Sequence, residues 1–279
     1  MVPAFHEIFC TYHHEGEITE SDYMSLRNFS HATPVINRLN AKYLPFQPDI
    51  IAGIKKGMLA KCRNVTGSWS GKNDRIRGAF SWSCFPGVEM VITFLEDDEY
   101  GKDISWYFSN KARDLLGIKQ AVILVEAIMV LLCKVGKMND SIVPAYPAQL
   151  SNESFTDIYR TGNIMAFSEL FCFKVNASAF LSPLSTKLKP CMDPGTLEKV
   201  FTSLLLEVAN VDDIVESRWE LLRGIYLSLG IDCESGNATL SISHQEVLSG
   251  PLRNSILMMI KMHVDIISHQ LGMLDEKKT

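Results

Sequence analysis

The sequence predicts an α+β protein that is mainly α with a small antiparallel β-sheet, arranged as two lobes of which the C-terminal one is helical. Apolar residues recur at helical spacing along most of the chain, which is typical of amphipathic helices. Over residues 77–108 the period changes to two, which favours strands. Residues 136–152 contain two prolines and show no period. We therefore expect an N-terminal lobe over 1–142 and a C-terminal lobe over 143–279.

The N-terminal lobe is predicted to begin its regular structure at Thr33-Pro34, an N-cap residue followed by proline at the first helical position. This helix should stop before Pro45. A second helix should start at Pro48, and lysines in its last turn suit the negative end of the helix dipole.

Three antiparallel strands are predicted over about residues 77–108, because apolar residues alternate there with polar ones. Pro86-Gly87 supplies the first turn, and the acidic run Glu96–Glu99 supplies the second. The helix over about 111–135 carries an apolar stripe that would cover the apolar face of this sheet.

The C-terminal lobe is predicted to be helical, with Asp193-Pro194 as its clearest helix start and Leu240 and Ile242 in a short strand at most. The final helix has an apolar segment over 256–260, which indicates burial in a core or an oligomer contact. We find no internal repeat. Helices are expected over 153–160, 165–175, 193–208, 210–229 and from Pro251 onward.

Composition indicates a globular intracellular, cytoplasmic protein. The N-terminus lacks a basic region followed by an apolar run, so we expect no secretory signal. The longest apolar run, Gln120–Cys133, is shorter than the roughly 20 residues that span a bilayer. The 7 cysteines are odd in number and form no C-x-x-C pair, which favours reduced thiols.

The basic segment Lys55–Arg77 is the most informative stretch for function. It contains seven Lys and Arg residues and one acid, so its net charge is +6, while the whole chain carries −5 and the remainder −11. Gly67-Ser-Trp-Ser-Gly71-Lys72 is not a P-loop, because its spacer is one residue too short and Asn73 follows the lysine.

A Gly/Ser-rich loop with a central tryptophan and adjacent cations can hold a phosphate backbone and stack on an unpaired base. The alternative is a solvated basic loop without a ligand. The predicted phosphate-binding or nucleic-acid-binding residues are Lys55, Lys56, Lys61, Arg63, Trp69, Lys72, Arg75 and Arg77.

No catalytic residues, metal ligands or cofactor are predicted. The acidic run Glu96–Glu99 lacks the spacing of a calcium loop and suits a hairpin tip. Glu126 inside an apolar helix must be paired, protonated or exposed, and His263 has the spacing of a core residue. The cluster His6, Cys10 and His13 suits a solvated terminus better than a zinc site.

These observations favour a non-enzymatic binding or assembly protein that engages RNA, or another polyanion, through the basic segment. A first alternative is a matrix-like structural protein, with a viral role left open, that binds anionic membrane and self-associates through its C-terminal helices into a homo-oligomer. A second alternative is an enzyme with a cleft between the lobes.

Overall fold

The structure, a computed structural model, describes residues 20–29, 32–70, 74–99, 101–138, 155–160, 184, 187–188, 190–211, 213–248 and 250–276. Its helices are α1 (Thr33–Tyr43), α2 (Gln47–Lys55), α3 (Thr66–Ser70), α4 (Ala112–Leu115), α5 (Ile118–Lys137), α6 (Pro194–Ser203) and α7 (Arg253–Glu276). Its strands are β1 (Tyr23–Ser25), β2 (Arg63–Asn64), β3 (Ile76–Phe85), β4 (Val88–Asp97), β5 (Gly101–Ser109), β6 (Phe155–Arg160), β7 (Glu207–Val211), β8 (Ile214–Leu222), β9 (Ile225–Asp232) and β10 (Ala238–Ser243).

The first sheet is antiparallel and has five strands in the order β1-β5-β4-β3-β2. The three strands predicted over 77–108 are confirmed as β3, β4 and β5. The predicted sheet was too small because β1 and β2 are only three and two residues long and show no period of their own. Both attach at the edges of the β3–β5 meander.

Helices α2 and α5 pack closely in the first half of the chain. A Cβ atom at Gly53 would lie 2.2 Å from the backbone oxygen of Leu132, and one at Gly136 would lie 1.9 Å from that of Asp49. These distances are far below van der Waals contact, so only glycine permits the approach of the two backbones.

The prediction of a mainly α protein with a helical C-terminal lobe is wrong, because the second half contains another five-stranded antiparallel sheet, in the order β6-β10-β9-β8-β7. Residues 210–229 form most of β7–β9 instead of a helix. Ser217 points into the core with 0% of its surface exposed, and this buried polar residue hides the period of two along β8. The helix predicted over 153–160 is strand β6, and 165–175 lies outside the described residues.

The two halves of the chain have the same topology, although the sequence analysis found no repeat. In each, a first strand pairs with the last strand of a four-stranded meander, and a long helix, α5 or α7, follows. The strand orders β1-β5-β4-β3-β2 and β6-β10-β9-β8-β7 are therefore equivalent position by position. The boundary predicted at 142/143 lies outside the described residues.

The β3–β4 and β8–β9 hairpins show this repeat in detail. Trp82 and Gly87 in the first hairpin correspond to Trp219 and Gly224 in the second, and the two glycines have φ values of 77° and 74°. Each hairpin has an irregularity in register just before the turn, between Ser83 and Phe85 in one and between Glu220 and Leu222 in the other.

A matching hydrogen bond also occurs in both halves. The backbone N–H of Glu89 donates to Ser109 Oγ at 3.2 Å, and the N–H of Tyr226 donates to Ser243 Oγ at 2.9 Å. In each case the second strand of the hairpin is tied to the last residue of the final strand, β5 or β10. The repeat therefore extends from topology to individual side chains.

The halves contact each other reciprocally. The β8–β9 hairpin reaches the end of α2, where the N–H of Arg223 donates to the carbonyl of Met58 at 2.9 Å. The β3–β4 hairpin reaches the end of α6, where Gly87 lies against the Leu205 side chain. Helices α5 and α7 pack antiparallel, since Lys134 near the end of α5 donates to the carbonyl of Pro251 just before α7, at 2.9 Å. One continuous hydrophobic core includes residues of both halves.

His263 of α7 lies at the centre of this contact and is fully buried. Trp219 Nε1 donates to His263 Nδ1 at 2.8 Å, and His263 Nε2 lies 2.7 Å from the carbonyl oxygen of Cys84. Because an indole N–H can only donate, the neutral ring carries its proton on Nε2 and donates it to Cys84. Phe85 packs against the imidazole with ring centroids 5.0 Å apart. His263 therefore links β8 of the second half to β3 of the first.

None of the helices in the described part of the chain is long and apolar enough to cross a membrane.

Replacing Gly53 or Gly136 by alanine should force α2 and α5 apart. We expect each change to lower the free energy of unfolding by about 2 kcal/mol or more, as overpacking of a tight contact does. Gly67→Ala is the matched control, since no atom lies within 4 Å of a Cβ at that position. Urea denaturation measures all three variants. Equal stability of Gly53→Ala and Gly67→Ala would contradict the close packing.

Protonation of His263 should weaken the contact between the halves. Burial lowers the pKa of His263 from 6.5 to about 4, so below pH 6.5 the unfolded state binds the proton more readily than the folded state. Stability should therefore fall as the pH drops from 6.5 towards 4, by about 3 kcal/mol from this group. Urea denaturation across this range measures the loss.

His263→Leu is the control for the pH experiment. It should cost about 1–3 kcal/mol at pH 7, because Trp219 Nε1 loses its acceptor. Its stability should then vary less with pH than that of the wild-type protein. Parallel pH profiles for the two proteins would show that His263 does not carry the effect.

Candidate polyanion-binding surface

The basic segment Lys55–Arg77 begins at the end of α2, passes through β2 and α3, and enters β3. Its cations do not converge on one point. One group lies near the contact between the halves, and the other lies along the face of the first sheet that points away from the main core, here called the outer face.

The first group consists of Lys55, Lys56 and Lys61. Lys55 is exposed, whereas Lys56 Nζ donates to the carbonyls of Val135 and Gly136 at 3.0 and 3.2 Å. Lys56 thus satisfies the C-terminal carbonyls of α5, a role that suits a cation. Lys61 is exposed and has a left-handed backbone with φ of 51°.

Two acids of the second half lie close to Lys61. Burial raises the pKa values of Glu207 and Glu220, and the Lys61 ammonium acts in the opposite direction on both carboxyl groups. Part of the charge of Lys61 is therefore balanced within the protein.

Trp69 does not stack on a ligand, and this part of the predicted site needs correction. Its side chain is 1% exposed and packs edge-on against Tyr23 and Tyr107, with centroids 5.4 and 5.1 Å away. Val65 and Ala79 belong to the same small apolar cluster on the outer face. A ring buried in this way has no free face for a base, so its role is to anchor α3 to the sheet.

Arg63 occupies one end of the outer face. Its Nη2 lies 2.9 Å from Glu89 Oε1, and the other carboxylate oxygen of Glu89 accepts the hydroxyl of Tyr23. Burial and this hydrogen bond to an acid both raise the pKa of Tyr23. Arg63 is therefore part of a polar cluster that ties β2, β4 and β1 together.

Arg75 and Arg77 occupy the other end of the outer face. Arg75 Nε lies 2.7 Å from Asp97 Oδ2, although its side chain is 52% exposed. Arg77 is exposed and donates from Nη1 to the carbonyl of Asp74 at 3.1 Å. It is the extra residue of an irregularity in register between Ile76 and Gly78. Lys72 lies outside the described residues.

The separation of these cations follows from the sheet register. Arg63 lies opposite Ser81 of β3. Arg77 and Arg75 precede Ser81 by four and six residues, so they lie roughly 13 and 20 Å further along the strand. The three arginines therefore lie in a line along the sheet rather than around a pocket, and two of them, Arg63 and Arg75, are paired with acids.

The structural repeat adds information that the sequence analysis missed. Between β7 and β8 only residues 212 and 213 intervene, whereas residues 65–75 separate β2 from β3. This insertion contains Trp69, Lys72 and Arg75, so the centre of the basic segment has no counterpart in the second half. By register, Ile76 corresponds to Ile214, which starts β8, so Arg77, as the extra residue, also has no counterpart. The sequence signal that could have revealed the repeat is the tryptophan and glycine that occur at matching positions in the two hairpins.

The other charged residues considered in the sequence have structural partners. Glu96 pairs with Lys102 at 3.0 Å across the β4–β5 hairpin, and Asp97 pairs with Arg75. Glu126 is paired, with Lys42 Nζ at 3.3 Å from its Oε1. The acidic hairpin and Glu126 are thus explained by local ion pairs.

The described residues give no support for a reactive cysteine or a metal site. Burial raises the pKa values of Cys62 and Cys133 to about 11, so both are protonated thiols near neutral pH. No group of three or more His, Cys, Asp or Glu side chains there could hold a metal ion. His6, Cys10 and His13 lie outside the described residues.

The sequence matches no protein-family model and no curated protein, and the structure matches no solved structure.

Trp69→Ala should release the insertion from the outer face. Removal of a fully buried tryptophan should lower the free energy of unfolding by about 3 kcal/mol or more. Ser68→Ala, at an exposed neighbour in α3, is the control and should have little effect. Urea denaturation measures both variants. A neutral Trp69→Ala variant would mean that the ring does not hold the insertion in place.

Proposed function

We propose that the protein is a non-enzymatic binding or assembly protein that engages a polyanion, RNA, through the insertion of the first half and the cations next to it. The contacts proposed are Lys72, Arg75 and Arg77, with Arg63 at the far end of the same face. Trp69 supports the insertion from below and makes no contact with RNA.

The observation that carries this proposal is the difference between two otherwise equivalent halves. In repeat proteins, insertions in one repeat map to loops on one face, and that face is often the binding face. Here the insertion at residues 65–75 lies in the middle of the basic segment, carries Lys72 and Arg75, and is flanked by Arg63 and Arg77, whereas the chain outside residues 55–77 is acidic.

The line of cations also favours a polymer over a compact anion. A single phosphate group requires its donors within a few ångströms of one another, whereas Arg63 and Arg75 are separated by roughly 20 Å along β3. A phosphate backbone can contact cations at such intervals, and each contact releases counterions. Because Arg63 and Arg75 also have acidic partners, Arg77 should contribute most among the described arginines of this face.

Self-association through the C-terminal helices receives less support. The apolar side chains that motivated this hypothesis, including Ile256, Met259 and Ile260, are at most 1% exposed within a single chain. Met258 is the exposed apolar residue of that segment, at 38%. One such side chain is a small surface for an oligomer contact.

Charge reversal of the insertion should weaken RNA binding. We expect the triple variant Lys72→Glu, Arg75→Glu, Arg77→Glu to bind single-stranded RNA more weakly at low salt. The slope of log affinity against log salt concentration should become shallower by about 2, since each lost phosphate contact in a single strand removes about 0.7. Fluorescence anisotropy across a salt series measures both quantities.

The matched control is Arg38→Glu, Lys111→Glu, Lys199→Glu, which makes the same change in net charge at exposed positions elsewhere. It should retain the wild-type salt slope. Arg77→Glu alone tests one contact without breaking an ion pair. Equal slopes for the two triple variants would refute the proposal. Flotation with phosphatidylserine vesicles in the absence of RNA binding would point instead to a membrane-binding protein.

A further inference from the structure

A half-open cavity of about 320 Å³ lies where the start of α5 meets the last turns of α7. It is lined by Arg113, Gln120, Asp265 and His269, together with Leu116 and Ile266. Residues from both halves of the chain therefore line the cavity.

The polar lining contains a guanidinium, an imidazole and a carboxylate, from Arg113, His269 and Asp265. Arg113 and His269 are exposed, and no side-chain partner for either lies among the described residues. The carboxylate in the lining, Asp265, is neutralised by an ion pair with Lys261 one turn earlier in α7. An anion entering the cavity would thus meet an available guanidinium and an imidazole without facing an unpaired carboxylate.

The structural repeat shows why this space is open. Lys134 and His269 occupy the same position along their helices, since each follows the first residue of α5 or α7 by the same interval. Lys134 fills its side of the helix pair by donating to the carbonyl of Pro251 at 2.9 Å. On the opposite side the shorter imidazole of His269 faces Gly117, and the cavity remains between them.

We propose that this cavity binds a small organic anion, with a carboxylate or phosphate monoester head group at Arg113 and His269 and a short apolar body against Leu116 and Ile266. Arg113 suits either head group, because its planar fork can donate two parallel hydrogen bonds to a carboxylate or phosphate.

The size and the apolar lining restrict the ligand. A cavity of about 320 Å³ is at the lower end of the range for small-molecule sites, so it suits a small ligand. Leu116 and Ile266 are 3% and 2% exposed, and their side chains form an apolar wall beside the polar lining.

Isothermal titration calorimetry of the full chain with hexanoate, hexyl phosphate and 1-hexanol tests this inference. We expect the two anions to bind with Kd values of about 1 mM, as for ligands of this size, and hexanol to bind at least about tenfold more weakly. The ratio of the two anion affinities identifies the preferred head group. Equal binding of hexanol, or no binding of either anion, would overturn the proposal.

Variants at exposed positions locate the site without affecting the fold. Arg113→Gln and His269→Gln should each weaken binding of the better anion by about tenfold, the loss of a charged hydrogen bond. Arg38→Gln, at an exposed arginine on α1, should bind as the wild-type protein does. Equal affinities for Arg113→Gln and Arg38→Gln would place the anion elsewhere. This result is independent of RNA binding, which involves the outer face.

Discussion

The packing of the two halves against each other is the constraint on which the rest of the structure depends. Each half has a five-stranded sheet with an apolar inner face, and the two inner faces and their long helices share one core. His263 joins them through Trp219 and the Cys84 carbonyl, with all three groups removed from water. A buried hydrogen-bond chain of this kind specifies one relative placement, because a shifted placement would leave its polar atoms unpaired.

The repeat also shows where the halves differ, and the differences coincide with the places where ligands are proposed. Trp219 Nε1 has an imidazole acceptor, whereas Trp82 Nε1 is buried without a partner among the described residues. Residues 65–75 extend the first half only, and they interrupt the basic segment between Arg63 and Arg77. The cavity lined by Arg113 lies at the opposite end of the α5–α7 pair from the hydrogen bond between Lys134 and the carbonyl of Pro251. Both proposed binding surfaces therefore lie where one half departs from the other.

The basic segment shows that the number of charged residues in a sequence does not determine how much of their charge is available to a ligand. The excess of Lys and Arg over 55–77 is a property of the sequence, but partners decide how much of that charge is available. Lys56 satisfies helix carbonyls, and Arg63 and Arg75 face Glu89 and Asp97. Trp69 was predicted to be a stacking residue because it is flanked by glycine and serine. Its burial follows from Tyr23 and Tyr107, which are distant in sequence and were not identifiable as its neighbours.

The sequence by itself determined the start of α1 at Thr33-Pro34, the three strands β3–β5 and the position of the positive charge, because these depend on the fixed φ of proline, local alternation and composition. The N-cap residue of α1 is Ala32 rather than the predicted Thr33. Only the tertiary structure decided the second sheet, the repeat and the surfaces available to ligands. Ser217 faces the core and breaks the apolar alternation of β8, and β1 and β6 gain their structure from strands far away in the chain. Long-range pairing of this kind leaves little local pattern, since its stabilising contacts exist only once the chain has folded.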